Sequence, residues 1–224
     1  MRFKATSAHL VFVVGLCFAA VPVRASLVQL NAPSEFIGPV DTIDFDDPAE
    51  GSAANIAYQG LGVEFSTVGD APVPIFDWTR IGRTTTSPRN VIATVSSFGG
   101  TFTTFLDIHF AAPQFQVGAF FGNDQAFGGY TMSTLTVFDV DDQSLGGFSV
   151  TTNDNTSVDQ FLGLLSTTPF VRARFSNNGT SLSVVLDDLS FSATAVPEPS
   201  TAALFAGGLL VLVAGIGRSS RKPR

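Results

Sequence analysis

The chain has 224 residues and a formal net charge of −7 at pH 7, from 12 basic and 19 acidic side chains. A protein of this acidity repels the phosphates of nucleic acids, which excludes a nucleic-acid-binding role. Its single cysteine excludes an internal disulfide and a cysteine-based metal site.

The first 25 residues have the organisation of a secretory signal peptide. A basic start is followed by the apolar run 10–20, and small side chains stand at Val23 and Ala25. This pattern predicts export through the general secretion machinery and cleavage before Ser26, so residues 1–25 are a signal peptide. The only cysteine leaves with that segment. Because leucine precedes the cysteine, a lipoprotein is not expected.

Residues 26–195 show apolar side chains at alternate positions in about ten short segments, which Gly, Asn, Asp and Pro separate. Alternation at this spacing is typical of antiparallel sandwiches and barrels, and no window of ten residues has a helical stripe. We therefore predict an all-β chain, with one antiparallel β-sandwich over 26–195 and phenylalanine as its main core residue. The expected strands are 42–46, 62–66, 90–96, 102–110, 115–121, 131–140, 147–152, 160–165, 170–175 and 182–191.

Three segments lie outside this strand pattern. Residues 31–40 are expected to be an irregular lead-in, and 193–199 a linker. The longest insertion, 67–88, holds candidate glycan-binding residues. An exposed indole can cover the apolar face of a sugar while charged neighbours reach its hydroxyl groups; the alternative is that the indole fills the end of the core. The candidate ligand-binding residues are Trp78, Arg80 and Arg83.

Several short stretches of the domain, 43–47, 58–65, 117–121, 135–139, 161–163 and 186–191, resemble a known architecture. The pattern resembles exported jelly-roll domains of the galactose-binding-like and carbohydrate-binding-module kind. The resemblance implies a jelly-roll-like sandwich and a carbohydrate ligand. It also implies a structural calcium ion near the first and last strands.

Acidic residues are concentrated near the first and last predicted strands. Between 26 and 195, five arginines stand against 18 acidic residues, a formal net charge of −13. Repulsion between clustered carboxylates favours a cation, and Ca²⁺ takes about six to eight oxygen ligands. The alternative is that these side chains are solvated strand and turn residues. The candidate calcium ligands are Asp44, Asp46, Asp47, Glu50, Asp187 and Asp188.

No catalytic constellation is apparent in the sequence. His109 is the only histidine between 26 and 195, and it shares an outward strand face with Asp107. The chain has no G-x-S-x-G motif and no pair of histidines spaced for zinc. A glycosidase needs only two carboxylates, but nothing in the sequence singles out a pair. We therefore predict no catalytic residues.

The C-terminus combines a short polar motif, an apolar run and a basic tail. Pro197, Glu198 and Pro199 precede the uncharged run 200–217, which is close to the minimum of about 17 residues that spans a bilayer. We predict a transmembrane helix over 200–217 with the tail on the cytoplasmic side; the alternative is a buried core helix. The basic residues of the tail, 218–224, are Arg218, Arg221, Lys222 and Arg224.

This arrangement resembles the PEP-CTERM sorting signal of bacterial proteins, here over 196–224. The resemblance implies cleavage by the membrane protease exosortase, a transient inner-membrane anchor, and then a cell-surface or extracellular location near polysaccharide. We predict a non-catalytic surface or matrix protein whose sandwich binds glycan or serves as structure. The alternative is a secreted polysaccharide hydrolase with paired carboxylates.

Overall fold

The computed structural model describes residues 25–68, 72–94, 104–122, 132–153, 155–178 and 183–195. Residues 1–24 of the predicted signal peptide lie outside these ranges. So do the whole sorting motif 197–199, the predicted span 200–217 and the basic tail 218–224. Among the described residues, no helix has both the length and the apolar character to cross a membrane.

The described residues are built mainly from antiparallel strands, which confirms the predicted all-β class. One short helix, α1 (Ala54–Ala57), and short 3-10 turns at Pro33–Glu35, Gln59–Leu61 and Trp78–Ile81 interrupt them. The strands are β1 (Leu27–Leu30), β2 (Asp41–Ile43), β3 (Val63–Ser66), β4 (Ile75–Asp77), β5 (Asn90–Ala93), β6 (Phe105–Gly122), β7 (Met132–Phe138), β8 (Ser144–Thr151), β9 (Gln160–Asn177) and β10 (Val185–Ser192).

Two of these strands, β6 and β9, are long and pair with each other along most of their length. The sequence predicted each of them as two separate strands. The pairing register shifts between His109 and Gln116, close to Pro113 on one strand and Pro169 on the other. Proline cannot donate to a ladder and favours such irregularities. The prolines therefore explain the predicted gaps, but the strands continue through them.

The register shift divides the hydrogen-bonded sheet into two halves. In the first half, the order is β3, β6, β9, β7 and β8; in the second half, it is β4, β5, β10, β6, β9 and β1, with β2 also on β10. Buried residues of both halves pack in one core, among them Ile108 and Phe175 from the first half and Leu162 and Leu186 from the second. Folded onto itself in this way, the sheet encloses its core as a sandwich.

The described chain ends in a hydrogen-bonded clasp, formed by Ile37, Gln116 and Thr194. The buried Gln116 amide accepts from the Ile37 N–H at 2.8 Å, and donates to the carbonyl oxygens of Ile37 at 2.9 Å and Thr194 at 3.3 Å. Gly38 has φ +78°, and a Cβ there would lie 2.7 Å from Thr194 Oγ1, so this position requires glycine. The lead-in 31–40 is thus joined through Gln116 to Thr194, just after the end of β10.

Candidate functional site

An acidic cluster forms where the turn after β2 meets an irregularity in β10. Ile43 pairs with Leu189, which lies in the interval from Asp187 to Ser190 where the pairing of β10 with β6 changes register. Phe45 and Asp188 both have positive φ, +64° and +46°, in the left-handed region that non-glycine residues seldom adopt. This backbone brings the predicted ligands Asp44, Asp46 and Asp188 close enough for their charges to interact.

Three buried oxygens in and around this cluster have no hydrogen-bond partner among the described residues: Asp46 Oδ2, Asn90 Oδ1 and the Tyr58 hydroxyl. Asn90 is 2% exposed; its backbone N–H donates to Asp46 Oδ1 at 3.0 Å and its Nδ2 donates to the Phe45 carbonyl oxygen at 3.2 Å. Leaving a buried polar atom unpaired costs free energy, so these oxygens indicate unused binding capacity. The sequence did not suggest Asn90 or Tyr58.

Burial and like charges perturb the groups of the cluster in the same direction. Burial raises the pKa of Asp188, and the nearby carboxylates of Asp44 and Asp46 raise it further. Burial also raises the pKa of the Tyr58 hydroxyl, with additional contributions from Asp44, Asp47 and Asp46. Each shift means that one more negative charge is unfavourable here. The cluster would therefore gain from a cation.

Two predicted calcium ligands are occupied elsewhere. Glu50 forms an exposed ion pair with Arg80. Asp187 is fully buried, and both of its carboxylate oxygens accept hydrogen bonds, from Thr86, Ser87 and the backbone of Asp188. Within the described ranges, no three His, Cys, Asp or Glu side chains are arranged to hold a metal ion. The contacts thus remove Glu50 and Asp187 from the predicted ligands, and the remaining four carboxylates are not arranged as a metal site.

Asp187 instead anchors the long insertion to the sheet. Its Oδ2 accepts from the Thr86 N–H and Oγ1, both at 2.9 Å, and from the Ser87 N–H at 2.8 Å. Burial raises the pKa of Asp187 more than these hydrogen bonds lower it. The insertion is also less irregular than expected, because it contains β4 and a 3-10 turn that Asp77 caps through the Thr79 N–H.

Trp78, a predicted sugar platform, is buried. Its side chain is 7% exposed and packs in a second apolar cluster with Val91, Val158 and Val185. The Arg83 guanidinium lies 5.6 Å from the centre of the indole ring. Because the ring is covered, it offers no face to a sugar. The structure contradicts the exposed platform and agrees with the alternative, a core-filling role, although the cluster is separate from the main core.

An open surface cavity lies at the edge of the first half-sheet, where β3 pairs with β6. Glu64 stands directly opposite His109 in the register, and the Ser66 hydroxyl is 3.1 Å from His109 Nε2. The cavity has a volume of about 270 Å³. Sequence alternation placed His109 outward, but only the register reveals that Glu64 is its neighbour. The lining residues are Gln59, Gly62, Val63, Glu64, His109, Phe110 and Ala111.

Beside this cavity, Asp107 is held by two arginines. Its carboxylate accepts from Arg172 Nη1 at 3.0 Å and from Arg174 Nε and Nη2 at 2.7 and 2.6 Å. The two guanidinium groups lie over the rings of Phe138 and Phe105, at 3.6 and 4.0 Å from the ring centres. Asp107 is 7% exposed and its charge is compensated. It is therefore a structural carboxylate.

Residues 195–222 match the PEP-CTERM protein-sorting motif, which confirms the sorting signal expected at the C-terminus. No curated protein matches the chain. One similar solved structure is the K2 cleaved adhesin domain of Lys-gingipain, at 14% identity and a TM-score of 0.45, covering 69% of this chain and 99% of that one. Another is a DUF4465 family protein from Bacteroides caccae, at 13% identity and a TM-score of 0.40, covering 75% and 100%. Likeness at this level carries no argument about function.

Proposed function

We propose that this chain is an exported bacterial surface or matrix protein that exosortase sorts, and that its sandwich binds glycan or matrix without catalysis. The single observation that carries the proposal is the PEP-CTERM match over 195–222. In this proposal, the chain passes through the secretion machinery, is held transiently at the inner membrane by 200–217, and is then delivered to the surface. Its jelly-roll-like, galactose-binding-like character is part of the proposal.

Charge favours a neutral or cationic ligand over an anionic one. The region 26–195 has a formal net charge of −13. Arg80 pairs with Glu50, Arg172 and Arg174 with Asp107 and Asp142, and the exposed Arg89 lies 3.9 Å from Asp46. A region with this excess of acidic side chains repels phosphate and anionic polysaccharide, whereas a neutral glycan meets no such repulsion. This supports a neutral polysaccharide as the partner.

We keep calcium as the proposed cation of the acidic cluster, although its carboxylates are not arranged as a preformed metal site among the described residues. Ca²⁺ is bound by carboxylate and amide oxygens in flexible geometry. The ion would therefore have to draw Asp44, Asp46 and Asp188 together, with the buried, unpartnered amide oxygen of Asn90 as a further ligand. The bound ion would offset the repulsion that raises the pKa of Asp188. Asp47, near Tyr58, would add to the negative field.

Adding Ca²⁺ is expected to raise the melting temperature of the protein. At a hundredfold excess of free Ca²⁺ over Kd, the gain in unfolding free energy is about 2.7 kcal/mol. Calorimetry with EDTA and then with Ca²⁺ measures it. The Asp188→Asn variant should lose most of the rise, whereas Asp141→Asn, an exposed turn residue, should keep it. An unchanged melting temperature in the unmodified protein would remove the site.

A glycan array probed with the processed protein, with and without EDTA, tests the binding function. We expect retention on one or more neutral polysaccharides, weakened by EDTA if calcium orders the binding surface. Turnover of the same sugars is measured in parallel. Hydrolysis that disappears on changing one Asp or Glu would replace the binding function with the hydrolase. Absence of binding to any glycan would leave a structural role in the matrix.

A further inference from the structure

We propose that the free edge of β8 is a surface through which two copies of this chain pair, antiparallel to each other and with Ser149 on the two-fold axis. The sheet of each copy would then continue into the sheet of the other. The inference goes beyond the proposed glycan-binding function, because the pairing uses neither a bound sugar nor the acidic cluster at β2 and β10.

Strand β8 is the longest strand at an edge of the sheet. Within the described ranges it pairs with β7 alone, whereas the other strands that pair on one side only, β1 to β4, have three or four residues each. Every second residue of such a strand directs its N–H and C=O groups away from the sheet. A long free edge is therefore a template for another strand.

The residues around β8 lack the features that usually block pairing between edges. Residues 143–153 contain no charged side chain and no proline, although 26–195 contains five arginines and 18 acidic residues. Charged side chains and prolines are common protections of an edge strand. Only one end is irregular, because Gly146 has φ +120° where the pairing with β7 changes register. The regular pairing segment is thus 147–151.

This segment matches itself when two copies run antiparallel. With Ser149 opposite Ser149 of the second copy, Phe148 stands opposite Val150 of that copy. Both side chains leave the sheet on the same face as Leu135, which is fully buried. An aromatic side chain directly opposite a β-branched one stabilises paired strands. The two-fold axis produces this contact twice.

The apolar side chains of β8 give a second reason for a partner. Among the described residues, four partly buried apolar side chains pack against the main core, and three of them belong to β8: Leu145, Phe148 and Val150. The fourth is Leu27 of β1, whose Cδ1 lies beside Gly146 at the irregular end. A second copy on the regular segment would bury more of Phe148 and Val150, which is favourable.

Charge restricts where two copies can meet and makes their contact sensitive to salt. A region with a formal net charge of −13 repels its own copy over most of its surface, but the uncharged stretch 143–153 does not. Asp141 and Asp142 precede this stretch and Asp159 follows it, so antiparallel pairing brings like charges towards each other at both ends. Salt screens such repulsion. We therefore expect a weak dimer that added salt strengthens.

Sedimentation velocity of the processed protein, from about 1 μM to 1 mM, tests the pairing. We expect a monomer–dimer equilibrium that moves towards dimer as NaCl is added. Ser149→Lys makes the protein less acidic but puts two like charges directly opposite each other, and should raise the dissociation constant at least about fourfold. Ser34→Lys makes the same charge change at an exposed position of the lead-in and should not raise it.

Cysteine substitution tests the register. The region 26–195 contains no cysteine of its own. Ser149→Cys should form a disulfide-linked dimer on mild oxidation, because opposed Cβ atoms lie roughly 5 Å apart. Thr151→Cys should not, since it faces Gly147 of the second copy and the two Thr151 positions are separated by roughly 14 Å along the strands. Circular dichroism and melting temperature verify that each variant is folded.

Four results would overturn the proposal. A monomer at every concentration and salt level would exclude it, and equal dissociation constants for Ser149→Lys and Ser34→Lys would put the contact elsewhere. Failure of Ser149→Cys to crosslink where the protein is dimeric would refute the register. Protection of all β8 amides from hydrogen exchange in dilute monomer would show that the same chain covers the edge. The glycan array is independent of these outcomes and tests the proposed function separately.

Discussion

Replacing Asp107 with alanine is expected to lower the free energy of unfolding by about 3–5 kcal/mol. The change removes three hydrogen bonds of 2.6–3.0 Å from Arg172 and Arg174. It leaves two guanidinium groups, with side chains 10% and 33% exposed, next to each other. Arg172 keeps Asp142 as a partner. Arg174 loses Asp107, the carboxylate that accepts hydrogen bonds from both its Nε and its Nη2.

Urea denaturation of Asp107→Ala and of a matched variant, Asp142→Asn, measures this effect. Asp142 is also a partner of Arg172, but its side chain is 74% exposed, so loss of its charge should cost about 1 kcal/mol or less. Asparagine is chosen because Asp142 has φ +60°, where alanine would add backbone strain. A triple variant, Asp107→Leu with Arg172→Met and Arg174→Met, should recover much of the stability, because it leaves no uncompensated charge. Equal costs for Asp107→Ala and Asp142→Asn would show that burial of the network is unimportant.

Replacing Asp187 with alanine is expected to cost about 3 kcal/mol, because the buried N–H of Ser87 and the part-buried N–H of Thr86 lose their acceptor. The loss should also free the insertion, since Asp187 joins it to β10. Chemical denaturation gives the first quantity, and hydrogen exchange at Thr86 and Ser87 gives the second. Asp141→Ala, in the exposed turn, is the control. Retained protection at both amides would contradict the anchoring role.

The Asp187→Asn variant separates charge from hydrogen bonding through its pH dependence. Burial raises the pKa of Asp187 in the folded state above its unfolded value of about 3.9. A carboxyl group with a raised pKa contributes stability that is fully present below the unfolded pKa and is lost as the pH rises through the folded pKa. In EDTA, the advantage of the unmodified protein over Asp187→Asn should therefore be largest near pH 4 and shrink towards neutrality. The opposite trend would contradict the raised pKa.

Period-two alternation was enough to predict an antiparallel all-β chain and most strand positions. It predicted 62–66 where β3 lies and 182–191 where β10 lies. It missed β1, which follows the predicted cleavage site directly, and β4, which lies inside the insertion 67–88 that was expected to be irregular. It also divided β6 and β9 at their prolines, since a local pattern does not show that a partner strand continues.

The candidate site was harder to predict, because its members meet only through pairing register. Alternation showed that His109 faces outward, but Glu64 lies 45 positions earlier, and only the β3–β6 register joins them. Composition identified the acid-rich ends, yet Asp187 and Asp188 have different environments because the backbone turns at Asp188. Trp78 was expected on an irregular loop and lies in a 3-10 turn directly after β4. Its burial depends on what packs over it, and no local pattern encodes that.

In the proposed membrane-anchored form, the clasp would limit how far the sandwich can move from the membrane before cleavage. Thr194 is hydrogen-bonded to Gln116, and the sorting motif match begins at the next residue. Only residues 195–199 separate the clasp from the predicted span, and a five-residue linker reaches at most about 18 Å when fully extended. An enzyme that needs a longer stretch of free chain must first break the Gln116 contacts. The rate of cleavage would then depend on how often the hydrogen bond between Gln116 and Thr194 opens in the folded sandwich.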